Sequence, residues 1–150
     1  ITPSLQVMGE GGFSLISRSG SVYPVGAVSL HWEAQYTTVK ISYSRAVSPS
    51  FFILATPLLS QAVTGTVKRQ LSEALSLSLS GSYAKNQSIP DGSLLSFESY
   101  IVTPGVEYKI GPRLTAALSY TRSEFERTFV GQGFDFDRNM VMVNLIAEWR

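Results

Sequence analysis

His31 is the only histidine in the chain, and Glu33 follows it at a two-residue spacing that would put carboxylate and imidazole on one face of a strand. Such a pair could pass a proton. Beside a short turn, however, the pair reads as a rim residue hydrogen-bonded by its neighbours. Asp135 and Asp137 flank Phe136, and their hard oxygens would suit Ca²⁺ or a bridge to lipopolysaccharide. Two carboxylates are too few for a metal site, and the pair reads as a solvated loop at the end of the molecule opposite His31. Ser76, Ser78 and Ser80 have no base near them and read as a lining. Gly9 to Gly12 follows a weak strand with no helix after it, which excludes a phosphate-binding loop. Lys40, Lys68, Glu107, Lys109, Arg113 and Glu148 remain as a mixed set of inward charges. In a narrow enclosure they would form a salt-bridged plug; in a wide one they would line a path for polar solutes. No nucleophile, base and acid converge, so the reading is a non-enzymatic protein with no cofactor and no metal.

What must position these residues is a set of two-faced strands. Leu75 to Tyr83 alternates leucine with serine without a slip and ends on an aromatic. Successive side chains of a strand point to opposite faces, so one face is leucine and the other serine. Val39, Ile41 and Tyr43 alternate with Lys40, Ser42 and Ser44, and the same grammar returns at Tyr100 to Ile110, Arg113 to Thr121 and Val141 to Trp149. No window holds helical periodicity with caps. Strands are expected near residues 3–9, 22–32, 37–45, 58–69, 75–84, 97–109, 113–123 and 138–150. Short turns at Glu33 to Tyr36, Gln70 to Glu73 and Lys109 to Pro112 alternate with long loops at Glu10 to Ser21, Ala46 to Pro57, Lys85 to Ser96 and Glu124 to Asp137. The result is a single all-β domain over residues 1–150, an antiparallel up-and-down order of about eight strands with the short turns on one rim.

Composition narrows the setting. Of 150 residues only 15% are charged, where about 25% is usual for a soluble domain. Net charge is +1, which gives no general attraction to nucleic acid. No apolar run approaches the roughly 20 residues of a membrane helix. The absence of cysteine excludes disulfides and thiolate metal sites, and suits export through an oxidising compartment. Ile1 opens no basic-then-apolar leader, so the sequence reads as a mature chain or a fragment.

The aromatics point to lipid. Tyr43, Tyr83, Tyr100 and Tyr120 end apolar rows at the long-loop side, and Trp32, Tyr108 and Trp149 end them at the short-turn side. Amphipathic rings favour the headgroup level of a membrane. On the apolar face the charges expected in strands are Arg45, Arg69 and Arg122, all at row ends. A lipocalin-like soluble barrel would turn the apolar row inward and show water a face rich in Lys and Glu. The polar face here is mostly Ser, Thr, Gly and Ala, which suits an enclosed interior. A bilayer-spanning sheet must close, because hydrocarbon offers no partner to a free edge. Either the eight strands close on themselves or they are the C-terminal part of a larger transmembrane β-barrel.

Asn144-Leu145-Ile146-Ala147-Glu148-Trp149-Arg150 resembles the C-terminal signal that hands bacterial outer-membrane proteins to the barrel assembly machinery, although the chain ends on Arg150. More broadly, residues 23 to 150 resemble the putative β-barrel porin family found beside exopolysaccharide and capsule biosynthesis genes in Gram-negative bacteria. Leu30-His31-Trp32 through Tyr43-Ser44-Arg45, Val67 to Ser72 through Tyr83, Pro104 to Tyr108, Leu118 to Ser123 and Asp137-Arg138-Asn139 carry the likeness. It implies a bacterial outer-membrane location among lipid and lipopolysaccharide, and a porin-like or structural part in surface polysaccharide export with envelope proteins as partners. It brings no functional residues. The alternative is an anchor that presents its long loops, chiefly Ala46 to Pro57 and Glu124 to Asp137, to a partner.

Overall fold

The computed structural model describes residues 3–16, 20–48, 57–89, 95–129 and 131–147. Eight strands follow one another: β1 (Ser4–Ile16), β2 (Ser21–Ala34), β3 (Thr37–Ser48), β4 (Leu58–Gln70), β5 (Leu75–Ser88), β6 (Leu95–Gly111), β7 (Leu114–Phe129) and β8 (Gln132–Ala147). Each pairs antiparallel with the next, giving a single sheet in the order β1 to β8. The sheet does not close on itself. β1 and β8 each pair on one side only, so both keep a free edge among the described residues.

The short turns lie where the sequence places them. Gln35 and Tyr36 link β2 to β3, and Pro112 and Arg113 link β6 to β7. Between β4 and β5 the hydroxyl of Ser72 accepts hydrogen bonds from the backbone N–H of Ala74 (3.3 Å) and Leu75 (3.1 Å), a local bond that favours a turn over continued pairing. Pro104, inside β6, has no N–H to give. The β6–β7 pairing is interrupted at Thr103 and Pro104, and a hydroxyl contact between Thr103 and Thr121 at 3.0 Å spans the gap.

The strands are longer than the sequence suggested. β1 runs through Gly9, Gly11 and Gly12 to Ile16 instead of ending near Gly9. The expected loop from Glu124 to Asp137 is instead a continuation of β7 and β8, closed by a tight turn in which Gly131 has φ +78°. That left-handed backbone is strained for any side chain with a Cβ. β5 likewise continues to Ser88 and β6 begins at Leu95. Most of the Ala46 to Pro57 loop lies outside the described residues. The reason for the difference is physical: from Glu124 to Asp137 the alternation continues with its phase inverted, charges on the face that elsewhere is apolar, and in β1 Gly9, Gly11 and Gly12 have no side chain to mark a face.

Burial runs opposite to hydrophobicity. In β6 and β7 Tyr100, Val102, Val106, Leu118 and Tyr120 are exposed, while Ser99 and Ser123 on the opposite face, toward the long loops, are 7% and 3% exposed. The sheet therefore curls around its polar face. Among the described residues only Leu59 and Ile89 are buried hydrophobics, so there is no apolar core. A lipocalin-like barrel would bury its apolar row, and this sheet does the reverse.

Candidate functional site

The register sorts every described strand residue onto one of two faces, because directly paired residues share a face. Val28, Tyr43, Val63, Tyr83 and Tyr100 form one row across β2 to β6. Trp32, Val39, Val67, Leu79 and Pro104 form another, four residues nearer the short turns. These rows and those between them make the convex face. Leu118 there is 51% exposed and its partner Val143 is 69% exposed.

The aromatic belts run at an angle to these rows. The row of Trp32 arrives in β6 at Pro104, and Tyr108 lies four residues further toward the short turns. The row of Tyr43 arrives in β7 at Glu124, and Tyr120 lies four residues further in the same direction. Both belts thus shift four residues over four strands. One residue per strand, at about 3.3 Å rise and 4.8 Å strand spacing, is a slope of roughly 35°. Outer-membrane barrel strands tilt by about 35 to 45°, so belts of this slope lie level in a membrane. Tyr83 and Tyr100 share the row of Tyr43 and stand two to three residues above that line, their rings tilted 35° to one another with centroids 4.8 Å apart. Along β6 the two belt lines stand five residues apart, about 16 Å or roughly 14 Å along the normal after that tilt, and Tyr100, above its line, stands roughly 22 Å along the normal from Tyr108. The apolar band of such barrels is about 25 Å tall.

Charges on the convex face respect the belts. Arg69 sits at the level of Trp32 and Tyr108. Arg45, Lys85, Glu98, Arg122, Glu124, Glu126, Asp135 and Asp137 all lie beyond the tyrosines. Only Arg45, Arg69 and Arg122 were expected there; the others join because the strands continue past the belt. Lys85 Nζ meets Glu98 Oε1 at 2.5 Å, and Glu98 Oε2 accepts a hydrogen bond from Tyr83 at 3.2 Å. Arg122 and Glu124 pair at 2.6 Å. Tyr120 donates to Asn139 Oδ1 at 2.6 Å. Three of the belt tyrosines thus point their hydroxyls toward polar partners on the long-loop side.

The concave face is lined by hydroxyls. Ser42 meets Thr64 at 2.6 Å, and Ser76, Ser78, Ser80 and Ser82 run along β5 opposite Thr64, Thr66 and Thr103. Gly105 fills a narrow place here, since a Cβ would stand 2.7 Å from Ser78 Oγ. Lys40, Lys68, Glu107 and Lys109 fall on this face near the short-turn rim. Lys68 and Glu107 reach across β5 to form an ion pair of 2.9 Å with both side chains well exposed. Arg113 lies in the turn after β6, while Glu148 and Trp149 lie outside the described residues. His31 pairs with Lys40 in the register. Its Nε2 is buried without a hydrogen-bond partner, so the expected network of neighbours does not form at that atom. Asp135 and Asp137 project from β8 on the convex face, far from His31. Among the described residues no three His, Asp or Glu side chains gather as a metal site.

One group escaped the sequence reading. Phe97, Phe125 and Phe136 stack in series on the concave face near the tight turn, with centroid separations of 6.1 and 4.6 Å. The signal was present as a period of two in Glu124-Phe125-Glu126-Arg127 and Phe134-Asp135-Phe136-Asp137. It was hidden because charges, not apolar residues, occupy the outer face.

No curated protein and no solved structure matches the chain. A family model does: that of Putative beta-barrel porin 2 matches residues 23–149, from within β2 past the end of β8. An up-and-down antiparallel sheet, curled around hydroxyls and apolar outside, is the architecture such a protein needs, and the chain belongs to this β-barrel porin family.

Proposed function

We propose that the protein is a bacterial outer-membrane porin-like channel whose hydroxyl-lined concave face borders water and whose convex band meets lipid. The observation that carries this is the exposed apolar row of Val102, Val106 and Leu118 between two level aromatic belts, set opposite a face of serine and threonine. Hydrocarbon cannot satisfy the free edges of β1 and β8, so in the membrane the wall closes, either edge to edge or together with strands beyond these eight. Lys40, Lys68, Glu107 and Lys109 then stand at the short-turn mouth as a mixed-charge lining, with Arg113 on the rim. The charged collar beyond the tyrosines faces the lipopolysaccharide headgroups, and the barrel assembly machinery inserts the chain. In the family context the solute is surface polysaccharide on its way out of the cell. An anchor that displays long loops is less well supported, because one of its two chief loops is a tight turn between strands. Planar-bilayer recording of the refolded protein tests the channel: discrete open events are expected, and their persistent absence across protein concentrations and voltages would overturn it.

A further inference from the structure

Among the described residues β1 and β8 each keep an unpaired edge, and between the belts they differ from the other strands on the concave side. There β2 to β7 carry Ser, Thr, Ala and Gly with His31, Lys40, Lys68 and Glu107, and no large apolar residue. Met8 in β1 and Met142 and Ile146 in β8 break that rule, and they are 68%, 43% and 54% exposed. Large apolar side chains thus turn toward the lumen only beside the two free edges. With Val143 and Leu145 on its other face, this part of β8 is apolar on both sides, the pattern of a strand that protein covers twice. The belts set how such edges meet. In β1 the tyrosine belt falls at Gly11, two residues from the row of Tyr43 toward the long loops; in β8 it falls at Met142, one residue from the row of Tyr120 toward the short turns. A seam that keeps the step of one residue per strand puts Met142 opposite Gly12 and Val141 opposite Phe13. In that register Ile146 meets Met8, Asn144 meets Glu10, and Val143 and Leu145 lie opposite Gly11 and Gly9. Sliding the seam by two residues either way, the least that keeps the faces, sets Glu10 against Ile146 or Met142. The register that levels the belts is therefore the one in which the side chains fit.

We propose that β8 of one copy pairs antiparallel with β1 of a second copy at this seam, and the reverse at a second seam, so that two chains of eight strands close one barrel. The proposal rests on the channel reading for a wet lumen. Eight strands at 4.8 Å spacing and a tilt of roughly 35°, closed on themselves, form a cylinder of about 7.5 Å radius, which side chains must fill. A lining of Ser, Thr, Ala and Gly is too small to fill it. Two copies double the radius to about 15 Å, the strand number at which porins enclose an aqueous channel. Each edge then finds its backbone partners, as hydrocarbon requires, through a head-to-tail interface that closes as a two-fold ring. Met8, Met142 and Ile146 cover one another at the seams instead of facing water.

Disulfide cross-linking tests this, because the chain has no cysteine of its own. Phe13→Cys and Val141→Cys are made as separate proteins, mixed in equal amounts, refolded together into phospholipid vesicles and oxidised. A linked two-chain band is expected in the mixture, taking up about half of the chains if copies pair at random, and in neither protein alone. Phe13→Cys mixed with Leu145→Cys is four residues out of register and should link less than about a tenth as much, since a disulfide needs Cα atoms within about 7 Å. Strand circular dichroism checks that each variant folds. Light scattering of the unaltered chain in detergent needs no substitution and should give two chains per particle. A link within single chains carrying both Phe13→Cys and Val141→Cys, with none between the mixed proteins, means that each chain closes on itself and overturns the proposal. Folded variants that form no link at all, or one chain per particle, overturn it as well. Neither readout uses ion flow, so silent bilayers leave a linked pair standing, and unlinked chains remove the shared wall without touching conductance.

Discussion

Placing a charge at Leu118 tests the lipid-facing band where it is most exacting. Leu118 pairs with Val106 and Val143, is half exposed, and lies near the middle of the band two residues below Tyr120. If that exposure is to acyl chains, Leu118→Arg costs about 2 to 4 kcal/mol, the range for a cation at the bilayer midplane. This corresponds to roughly a 30- to 850-fold shift in the folding equilibrium. Gln87→Arg supplies the comparison, because Gln87 shares the face but stands beyond the belt, paired with Leu59 and Ser96. There the cost should be about 0 to 1 kcal/mol. Denaturant titrations into phospholipid vesicles, followed by tryptophan fluorescence, give both numbers. Equal costs for the two substitutions, or a loss under about 1 kcal/mol at Leu118, would refute the reasoning.

Two smaller predictions concern the concave face. Gly105→Ala brings a Cβ to 2.7 Å from Ser78 Oγ, a hydroxyl on an exposed side chain that can rotate away, and should cost less than about 1 kcal/mol; adding Ser78→Ala removes that oxygen and should abolish the remaining cost, as a double-mutant cycle would show. Lys68→Met breaks an exposed ion pair and should change stability by less than about 1 kcal/mol, but it should shift the ion selectivity of the open channel toward cations.

Much of the architecture is legible in the sequence because a strand with unlike faces writes its period of two directly into residue types. Leu75 to Tyr83 needs no tertiary knowledge to be read, and its alternation fixes which residues share a face with Tyr100 once pairing is antiparallel. The belts were legible for the same reason, though their slope required the register. Illegible were the stretches from Glu10 to Ile16, where glycines carry no side chain to mark a face, and from Glu124 to Asp137, where the alternation inverts and puts phenylalanine on the face that elsewhere carries serine. The phenylalanine ladder belongs to such a stretch. Closure was also beyond reach, since nothing in the residue types of β1 or β8 says whether they meet; in the structure they do not.

The account stands most directly on which face meets lipid. The chain has no cysteine, so single cysteines can be placed along β6 and spin-labelled without background. In vesicles, labels at Val102, Val106 and Tyr108 should relax with dissolved oxygen, and labels at Ile101, Thr103 and Glu107 with a water-soluble nickel complex. Oxygen contact at the second set, or no alternation at all, would contradict it.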